Sequence, residues 1–406
     1  MKTKCGLLFL LLLISVALLV LGGCANGCPS ATQGTTGGTD GGPATGVSGG
    51  GSSCGISSGP PPSSGTTALM YYSGGTNIQG AKFDSSGNGT FANLNPFTPP
   101  ALSGTVNSMA IVNKQFLYVP LSGFSNVQAY SINRSSGALS PINGSPFLAQ
   151  AAADTVTTDP SGRFLFVGGR YASSISVYQI NSSTGALTPA PGSPFQSFNV
   201  VFASSLTVDA TGKFLYVGQL FSTNPVAVFS IDQTTGALTE TSGSPYHLGV
   251  AVVQADPGGN FLLGIADDTG ASGDKHIYVF SINTTTGAPT AVTNSPFATV
   301  SIPFALAIHP TGKFVYPSVA DSNGFVTTFE GYQLNSTSGA LTALSGSPFT
   351  TLPIVAECQF EQTGAFAFCM NISGFSVLGV NTSTGALSRT FPDLAASNNF
   401  PFAVTD

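Results

Sequence analysis

A phrase of about thirteen residues returns along the chain at intervals of roughly 50 residues, and this repeat limits the folds that the sequence can adopt. The strong copies are SSGALSPINGSPF (135–147), STGALTPAPGSPF (183–195), TTGALTETSGSPY (234–246), TTGAPTAVTNSPF (285–297) and TSGALTALSGSPF (337–349). Weaker copies are SSGNGTFANLNPF (85–97) and STGALSRTFPDL (383–394). Seven copies indicate a repeat protein, in which each unit buries its apolar side chains against its neighbours.

Each repeat contains four short segments with the composition of β-strands. In the unit Ser204–Tyr246, the segments are SSLTVD, FLYVGQL, VAVFSID and ALTET, and the glycine-containing turns ATGK and QTTG separate the outer pairs. Short runs rich in Val, Phe, Tyr and Thr between glycine turns are typical of antiparallel sheet. Four strands in each of seven repeats predict an all-β fold, a seven-bladed β-propeller over residues 68–406.

The two ends of this region are each incomplete. The C-terminal FPFAVTD (400–406) is similar to IPFALAIHP (302–310), which begins the sixth repeat, whereas ALMYYSG (68–74) is similar to a second strand that lacks a first. We therefore expect the C-terminal strand to become the innermost strand of blade 1. This closure removes an open sheet edge that would favour aggregation.

The repeated phrase itself is predicted to be structural. Its prefix, as in Asn181–Gly185, has an Asn or Asp that caps a turn and a Gly for the left-handed position. The same prefix matches glycosylation sequons, but its return in nearly every blade favours the turn. In GSPF, the Pro is expected to stop the strand ladder and the Phe to pack between blades.

The first residues predict export. Lys2 and Lys4 precede the apolar run Leu7–Leu21, which is short for a membrane span. LGGC, ending at Cys24, resembles the bacterial lipoprotein lipobox, and the resemblance implies a signal peptide over residues 1–23 and lipidation of Cys24. The alternative is an ordinary signal peptide with a chance cysteine.

Residues 24–67 are dominated by Gly, Ser, Thr and Pro and are predicted to be a disordered tether. Cys28 and Cys54 within it could pair or remain free thiols. Charged residues make up only 7% of the chain and the net charge of -6 has no basic face, so we expect no nucleic-acid binding. We expect a monomer outside the cytoplasm, held to a bacterial membrane through its lipid anchor, and no cofactor.

The segment DPSGRFLFVGG (159–169), followed by SISVYQINSSTGALTPAPGSPF (174–195), resembles the propeller lactonase family of the 6-phosphogluconolactonase type. Surface propellers of the YVTN class carry similar repeats. The resemblance covers residues 68–406 and implies a site at one mouth of the channel that uses His, Arg and acidic side chains. It also implies a Gly-x-His-Pro segment before an inner strand, but the matching stretches QAAADTV, VFASSLT and SIPFALA lack histidine.

Function is expected on the face that carries the loops between second and third strands and the connectors between blades, because these vary from blade to blade. His309, in IHPTGK, is instead predicted to lie in a turn on the opposite face. The polar candidates on the variable face are Arg170, Tyr171, His247, Asp267, Asp268, Asp274, Lys275, His276 and Asp321.

Two roles are open for these residues. As a hydrolytic site, His276 with Asp268 could activate water and Arg170 could hold the developing oxyanion. As solvated loop residues, they would instead form a surface that binds an unknown protein, glycan or small molecule. The run DDTGASGD (267–274) lacks the spacing of a calcium loop, so no metal site is predicted.

Cys358 and Cys369 lie on the first two predicted strands of blade 7, joined by the turn EQTG. A hairpin centred on Thr363–Gly364 places the two cysteines directly opposite each other and permits a disulfide. A bulged turn, suggested by HPTG in blade 6, would shift the pairing by one residue and point the side chains to opposite faces.

These patterns favour a membrane-anchored extracytoplasmic lipoprotein whose lactonase-like propeller binds a partner or ligand through its variable face. The alternative is an active lactonase that hydrolyses a sugar lactone at the mouth of the channel.

Overall fold

The computed structural model describes residues 66–73, 77–84, 89–90, 104–122, 124–149, 153–169, 172–197, 202–220, 225–266, 273–320, 326–349, 355–371, 374–389, 394–395 and 401–405. All of them belong to one compact unit, Pro60–Asp406. A helix long and apolar enough to cross a membrane is absent from this part of the chain. The predictions for the signal peptide, Cys24, Cys28, Cys54 and residues 24–65 of the tether lie outside the described residues. Thr66 and Thr67, predicted to belong to the tether, are instead the first residues of a strand that runs to Ser73.

The described residues form short β-strands throughout. The first fourteen are β1 (Thr66–Ser73), β2 (Ile78–Asp84), β3 (Gly89–Thr90), β4 (Ala110–Val112), β5 (Phe116–Leu121), β6 (Asn126–Ile132), β7 (Leu139–Pro141), β8 (Phe147–Leu148), β9 (Ala153–Thr158), β10 (Phe164–Gly169), β11 (Ser174–Ile180), β12 (Leu187–Pro189), β13 (Phe195–Gln196) and β14 (Ala203–Val208). The next ten are β15 (Phe214–Gln219), β16 (Pro225–Ile231), β17 (Leu238–Glu240), β18 (Tyr246–His247), β19 (Val252–Ala255), β20 (Phe261–Ile265), β21 (His276–Ile282), β22 (Pro289–Ala291), β23 (Phe297–Ala298) and β24 (Ile302–Ile308). The last ten are β25 (Phe314–Ala320), β26 (Val326–Phe329), β27 (Tyr332–Leu334), β28 (Leu341–Ala343), β29 (Val355–Phe360), β30 (Phe366–Asn371), β31 (Gly374–Val380), β32 (Leu387–Arg389), β33 (Leu394–Ala395) and β34 (Phe402–Thr405).

These strands form seven antiparallel sheets, the blades. From the axis outward, blade 1 is β34-β1-β2-β3, and blades 2 to 5 are β4 to β7, β9 to β12, β14 to β17 and β19 to β22. Blade 6 is β24-β25-β27-β28, with β26 also on β25, and blade 7 is β29 to β32. The first strands of successive blades contact each other in a closed ring from β4 through β29 to β34 and back to β4. The predicted seven-bladed propeller is confirmed.

Blade 1 is completed by the C-terminal strand, as predicted. β34 pairs antiparallel with β1, with Tyr71 opposite Ala403 and Tyr72 opposite Phe402. The backbone N–H of Ser73 also donates a hydrogen bond to the carbonyl of Pro401 (3.1 Å). The two ends of the propeller region are therefore neighbours in one sheet.

The core is divided among the junctions between blades. Seven clusters of buried apolar side chains each combine residues from two adjacent blades. The cluster between blades 7 and 1 contains Met70, Phe368, Phe375 and Phe402, and the rings of Phe375 and Phe402 lie 5.4 Å apart. Every blade thus depends on both neighbours for its apolar burial.

A buried polar side chain closes the turn between the first and second strands of blades 3 to 7. In blade 3, Asp159 Oδ1 accepts hydrogen bonds from the backbone N–H groups of Arg163 and Phe164, both at 2.7 Å. The residues at this position in the next four blades are Asp209, Asp256, His309 and Glu361, all buried. The predicted glycine of this turn has a left-handed backbone, as at Gly212 (φ 73°).

The turn between third and fourth strands explains the beginning of the repeated phrase. Asn181 Oδ1 accepts hydrogen bonds from the backbone N–H groups of Ser183 and Thr184, both at 3.0 Å, as the capping prediction required. Gly185 follows with φ 71°, and a Cβ there would lie only 2.4 Å from the Phe116 ring of the preceding blade. Its carbonyl accepts a hydrogen bond from Tyr118 of that blade (2.7 Å).

The same link between neighbouring blades recurs around the ring. The corresponding bonds run from Tyr71 to Gly137, from Tyr216 to Gly287 and from Tyr316 to Gly385, at 2.7–2.9 Å. Burial raises the pKa of all these phenols, so the hydroxyl groups remain hydrogen-bond donors. The phrase therefore joins blades as well as turning the chain.

The Ser-Pro-Phe ending has a further role that the sequence did not indicate. Each short fourth strand ends before it, and the aromatic residue begins a separate short segment that pairs with the third strand in blades 2 to 5. One residue of the third strand lies between the part that pairs with the fourth strand and the part that pairs with this segment. Its backbone N–H donates a hydrogen bond to the serine: Ala129 to Ser145 Oγ (2.9 Å) in blade 2 and Val177 to Ser193 Oγ in blade 3. The serine thus takes the place of a missing strand carbonyl, since a buried N–H needs a partner. As predicted, Phe147 packs into the cluster between blades 2 and 3.

Cys358 and Cys369 form a disulfide between β29 and β30. The two residues lie directly opposite each other, with Cα atoms 4.1 Å apart. The alternative of a shifted register is wrong because blade 6 has no such shift: Ile308 pairs with Val315 there, just as Phe360 pairs with Ala367 in blade 7. The buried residue at the start of each turn fixes the same spacing in both blades.

His309 occupies this turn position in blade 6 and links it to blade 7. Its side chain is fully buried, Nε2 donates to the carbonyl of Gly364 (3.0 Å), and Nδ1 lies 2.8 Å from Thr311 Oγ1. Desolvation lowers the pKa of His309, although the bond to Gly364 and the charge of Glu361 act in the opposite direction. The predicted turn residue is thus a neutral histidine that joins two blades.

We expect His309 to make the protein sensitive to acid. Because its pKa is lower in the folded state, its contribution to stability is complete above the ordinary value of 6.5 and is lost as the pH falls below that value. One such group changes the free energy of unfolding by at most about 1.4 kcal/mol per pH unit. The measurement is denaturant unfolding of the wild type and His309→Asn at pH 7.5, 6 and 5. A constant difference between the two proteins across these pH values would contradict the prediction.

Candidate functional site

The two ends of the propeller differ in how constant their loops are. Because the strands are antiparallel, the turn between the first and second strands and the turn between the third and fourth strands lie at one end of the propeller. The loop between the second and third strands lies at the other end, together with the connector to the next blade. The turn between the first and second strands has the same length in blades 3 to 7. It joins Thr158 to Phe164 in blade 3 and Phe360 to Phe366 in blade 7. The loop between the second and third strands varies in length: it is short in blade 7, where it joins Asn371 to Gly374, and long in blade 5, where it joins Ile265 to His276. Sequence variation is concentrated at the second end, which we call the variable face.

Several predicted site residues lie outside the described residues. These are Arg170 and Tyr171 of blade 3, Asp267 and Asp268 of blade 5, and Asp321 of blade 6. The pairing of His276 with Asp268 and Arg170 therefore stays a prediction.

The end of the long loop in blade 5 contains a small polar cluster. His276 Nδ1 lies 2.5 Å from Asp274 Oδ1, and the Tyr278 hydroxyl donates a hydrogen bond to Asp274 Oδ2 (2.7 Å). The His276 side chain is 41% exposed and that of Asp274 is 20% exposed. Desolvation and the adjacent carboxylate raise the pKa of Tyr278 to about 12, so this phenol remains a donor near neutral pH. Asp274, and not only the predicted Asp268, is thus available to orient the His276 ring.

His247 and Lys275 are both exposed at the variable face. His247 lies on β18 opposite Pro225, the first residue of the third strand of blade 4, and His276 is the corresponding first residue in blade 5. Third strands are separated from the axis by the first and second strands of their blades. These two histidines therefore belong to the outer part of the variable face and do not border the central channel.

The innermost strands carry two carboxylates that the sequence interpretation did not single out. Asp154, at the bulge that begins β9, is buried and accepts a hydrogen bond from Asn107 Nδ2 of the preceding blade (2.5 Å). Glu357 directly follows the corresponding bulge of β29 and pairs with Met370. Both residues lie on predicted first strands. The sequence feature that would have identified them is a charged residue in a strand of otherwise apolar or small residues.

Another buried carboxylate, that of Glu330, fixes the connector between blades 5 and 6. Its Oε1 accepts a hydrogen bond from the backbone N–H of Val300 (3.0 Å), and its Oε2 accepts one from the Tyr332 hydroxyl. Desolvation raises the pKa of Glu330. This carboxylate is explained by the fold, because it fixes the passage from blade 5 to blade 6.

Within the described ranges, no three His, Cys, Asp or Glu side chains come together as a metal site. The polar groups of the variable face instead suit hydrogen bonding and, at His276, proton transfer.

The chain is similar to known propeller proteins. Residues 83–254 match the family model described as Lactonase, 7-bladed beta-propeller. The match covers the second to fourth blades and part of the first and fifth. No protein in the curated set matches the sequence significantly.

The seven-bladed propeller is also similar to solved structures along most of its length. A protein of Bacteroides uniformis assigned as a 6-phosphogluconolactonase is 16% identical, with a TM-score of 0.62 over 84% of this chain and 99% of that one. The periplasmic gluconolactonase of Pseudomonas aeruginosa is 17% identical, with a TM-score of 0.63 over 83% and 98%. At these identities the likeness concerns the fold.

Proposed function

We propose that this protein is an extracytoplasmic lipoprotein, anchored to a bacterial membrane, whose lactonase-type propeller is a binding module. Its variable face takes a protein, glycan or small-molecule ligand. The polar tether, residues 24–67, holds the propeller away from the membrane and leaves this face accessible.

The observation that supports this role is the contrast between the two faces. The turns of one face keep their spacing and are tied down by buried caps and links between blades, whereas the loops of the other face change length from blade to blade. A rigid scaffold with variable loops is the usual arrangement of a binding protein. The described histidines agree with it, since His309 is structural and His247 and His276 lie away from the channel.

The test is a thermal-shift screen of the purified chain with glycans, peptides and lactones, followed by two loop exchanges. Replacing the blade 5 loop between Ile265 and His276 with a short glycine-serine loop should remove ligand stabilisation. The matched control keeps the chain at its full length. It replaces Ser183 and Thr184, which lie in a turn of the opposite face, with Gly and Ser. Equal ligand binding by both variants would count against the variable face.

A second candidate is a hydrolase that opens a lactone ring. It is favoured by the family match and by the His276–Asp274 pair, in which the carboxylate holds Nδ1 and leaves Nε2 as the ring atom that would accept a proton. A panel of sugar and simple lactones should then be hydrolysed, and His276→Gln should lower kcat/KM by roughly 10²-fold or more. His247→Gln, the exposed histidine of the neighbouring blade, is the control and should have no effect.

Lipidation gives a separate prediction about location. Wild-type protein should partition into detergent and incorporate labelled fatty acid, because a diacylated cysteine binds membranes stably. Cys24→Ser should lose both properties or accumulate as the unprocessed precursor. Wild type that stays in the aqueous phase without label would contradict the anchor.

A further inference from the structure

Charged side chains are divided unequally between the two ends of the propeller. We call the end opposite the variable face the turn face, because it carries the turns between first and second strands and between third and fourth strands. In blades 2 to 7, the charged side chains of these turns that reach the surface are Lys114, Arg134, Arg163, Lys213, Lys313 and Asp232. All but one of them are cations, although the chain has a net charge of -6 and the sequence interpretation found no basic face.

The remaining carboxylates of these turns lie beneath the surface. They are the buried caps Asp159, Asp209, Asp256 and Glu361. Backbone N–H groups offset their charge, as when Phe214 donates to Asp209 Oδ1 (2.7 Å). Arg163 lies 3.6 Å from Asp159 Oδ2, but its side chain is still 49% exposed. The surface that this face presents to solvent is therefore positive.

The loops between second and third strands, at the variable face, have the opposite balance of charge. Their sequences contain two cations and four carboxylates, namely Arg170, Lys275, Asp267, Asp268, Asp274 and Asp321. The propeller is thus positive at one end of its axis and negative at the other. An anionic surface would attract the turn face and repel the variable face.

The tether joins the propeller at the turn face. β1 is the second strand of blade 1, and second strands begin at this end. Thr66, the first residue of β1, pairs with Asp84, and Lys82 Nζ donates a hydrogen bond to the carbonyl of Ser135 in a turn of blade 2 (2.7 Å). The segment that leads back to Cys24 therefore leaves the propeller from the end with the surface cations. Since Lys82 and Asp84 balance each other beside blade 1, the excess of positive charge belongs to the turns of the other blades.

We propose that the turn face rests on the anionic phospholipid head groups of the membrane, with Arg163, Lys213 and Lys313 as its main contacts. The variable face then points away from the membrane. This inference rests on the proposed lipid anchor and adds an orientation to it. The three cations belong to separate blades, so they suit a layer of many phosphate groups better than a single bound anion. Their attraction acts within about one Debye length, about 10 Å at 0.1 M salt, and the flexible tether allows so close an approach.

The experiment measures how residues 25–406, which keep the tether and the propeller but lack Cys24 and its lipid, bind to vesicles in a flotation assay. In 0.1 M NaCl, the partition coefficient for phosphatidylcholine vesicles with about one third phosphatidylglycerol should be at least about tenfold higher than for pure phosphatidylcholine. The difference should disappear in 1 M NaCl, where the Debye length is about 3 Å. Equal binding to both vesicles, or binding that survives 1 M NaCl, would overturn the proposal and indicate contact through apolar side chains such as Leu148, which is exposed on the variable face.

The anchor is tested separately by the fatty-acid labelling of the wild type. If the wild type is labelled but residues 25–406 do not distinguish the two kinds of vesicle, the orientation is refuted and the anchor stands.

Two double variants with the same change in net charge test which face makes the contact. Lys213→Glu with Lys313→Glu should lower the partition coefficient for the phosphatidylglycerol vesicles by at least about tenfold, and the two Gln substitutions should lower it less. Lys275→Glu with Arg389→Glu changes a variable-face loop and the outer strand of blade 7 and should alter binding by less than about twofold. An equal loss in both double variants would mean that binding follows net charge alone, which would refute the assignment to the turn face.

Discussion

Deletion of residues 400–406 should abolish the cooperative folding of the propeller. The deletion removes β34, and with it the backbone pairing to β1 and the buried side chain of Phe402, which is 1% exposed. Loss of a buried Phe side chain alone costs about 3–5 kcal/mol, and domains of ordinary stability have only about 5–15 kcal/mol in total. The deletion also exposes β1 as a sheet edge.

The measurement is the Tm and the soluble yield of the truncated chain. A deletion of Asp406 alone leaves β34 complete and is the matched control, which should melt like the parent. Phe402→Ala should fall between the two, because it keeps the backbone pairing and loses the packing in the junction between blades 7 and 1. A truncated chain with the Tm of the parent would contradict the closure of blade 1 by its last strand.

Gly218→Ala should be the most damaging single methyl addition among the second strands. A Cβ at this position would lie 2.1 Å from the carbonyl oxygen of Ala251 on the next blade and 2.5 Å from Ser205 Oγ. The backbone carbonyl cannot rotate away, and the Ser205 hydroxyl is itself committed to Ala251 (2.9 Å). We expect a loss of about 3 kcal/mol in the free energy of unfolding, at the upper end of the usual cost of overpacking.

Gly168→Ala is the control, since Gly168 has the same place in blade 3. Its added Cβ would lie 3.0 Å from Ala203 Cβ and from Thr155 Cγ2, and a displacement of a few tenths of an ångström relieves both contacts. Its expected cost is about 1 kcal/mol. Denaturant unfolding of both variants measures the difference, and equal losses would mean that blades 4 and 5 are no closer at this point than blades 3 and 4.

The number of blades, the four strands of each and the closure of blade 1 were all predictable from the sequence. Period, strand composition and turn residues are local properties, and seven copies of each reduce the chance of error. The unmatched segments 68–74 and 400–406 were informative for the same reason, because each resembled a specific strand of the complete repeat.

The links between blades were not predictable. Tyr118 and Gly185 are joined by a hydrogen bond, and Ser145 replaces a carbonyl for Ala129, but in the sequence these residues look like an ordinary strand aromatic, a turn glycine and a loop serine. The register of the cysteine pair was left open for a similar reason. It depends on Glu361, whose carboxylate fixes the turn from within the core, and burial of that side chain is a tertiary property.

The candidate site shows the same division. The sequence alone determined that variation is confined to one set of loops, because the repeat gives a reference against which each loop can be compared. Only the tertiary structure decided that His276 is oriented by Asp274 and that His309 is a neutral link between blades. Charge, hydrogen bonding and burial of a side chain depend on neighbours from other blades, and a repeat in sequence does not state which residues those neighbours are.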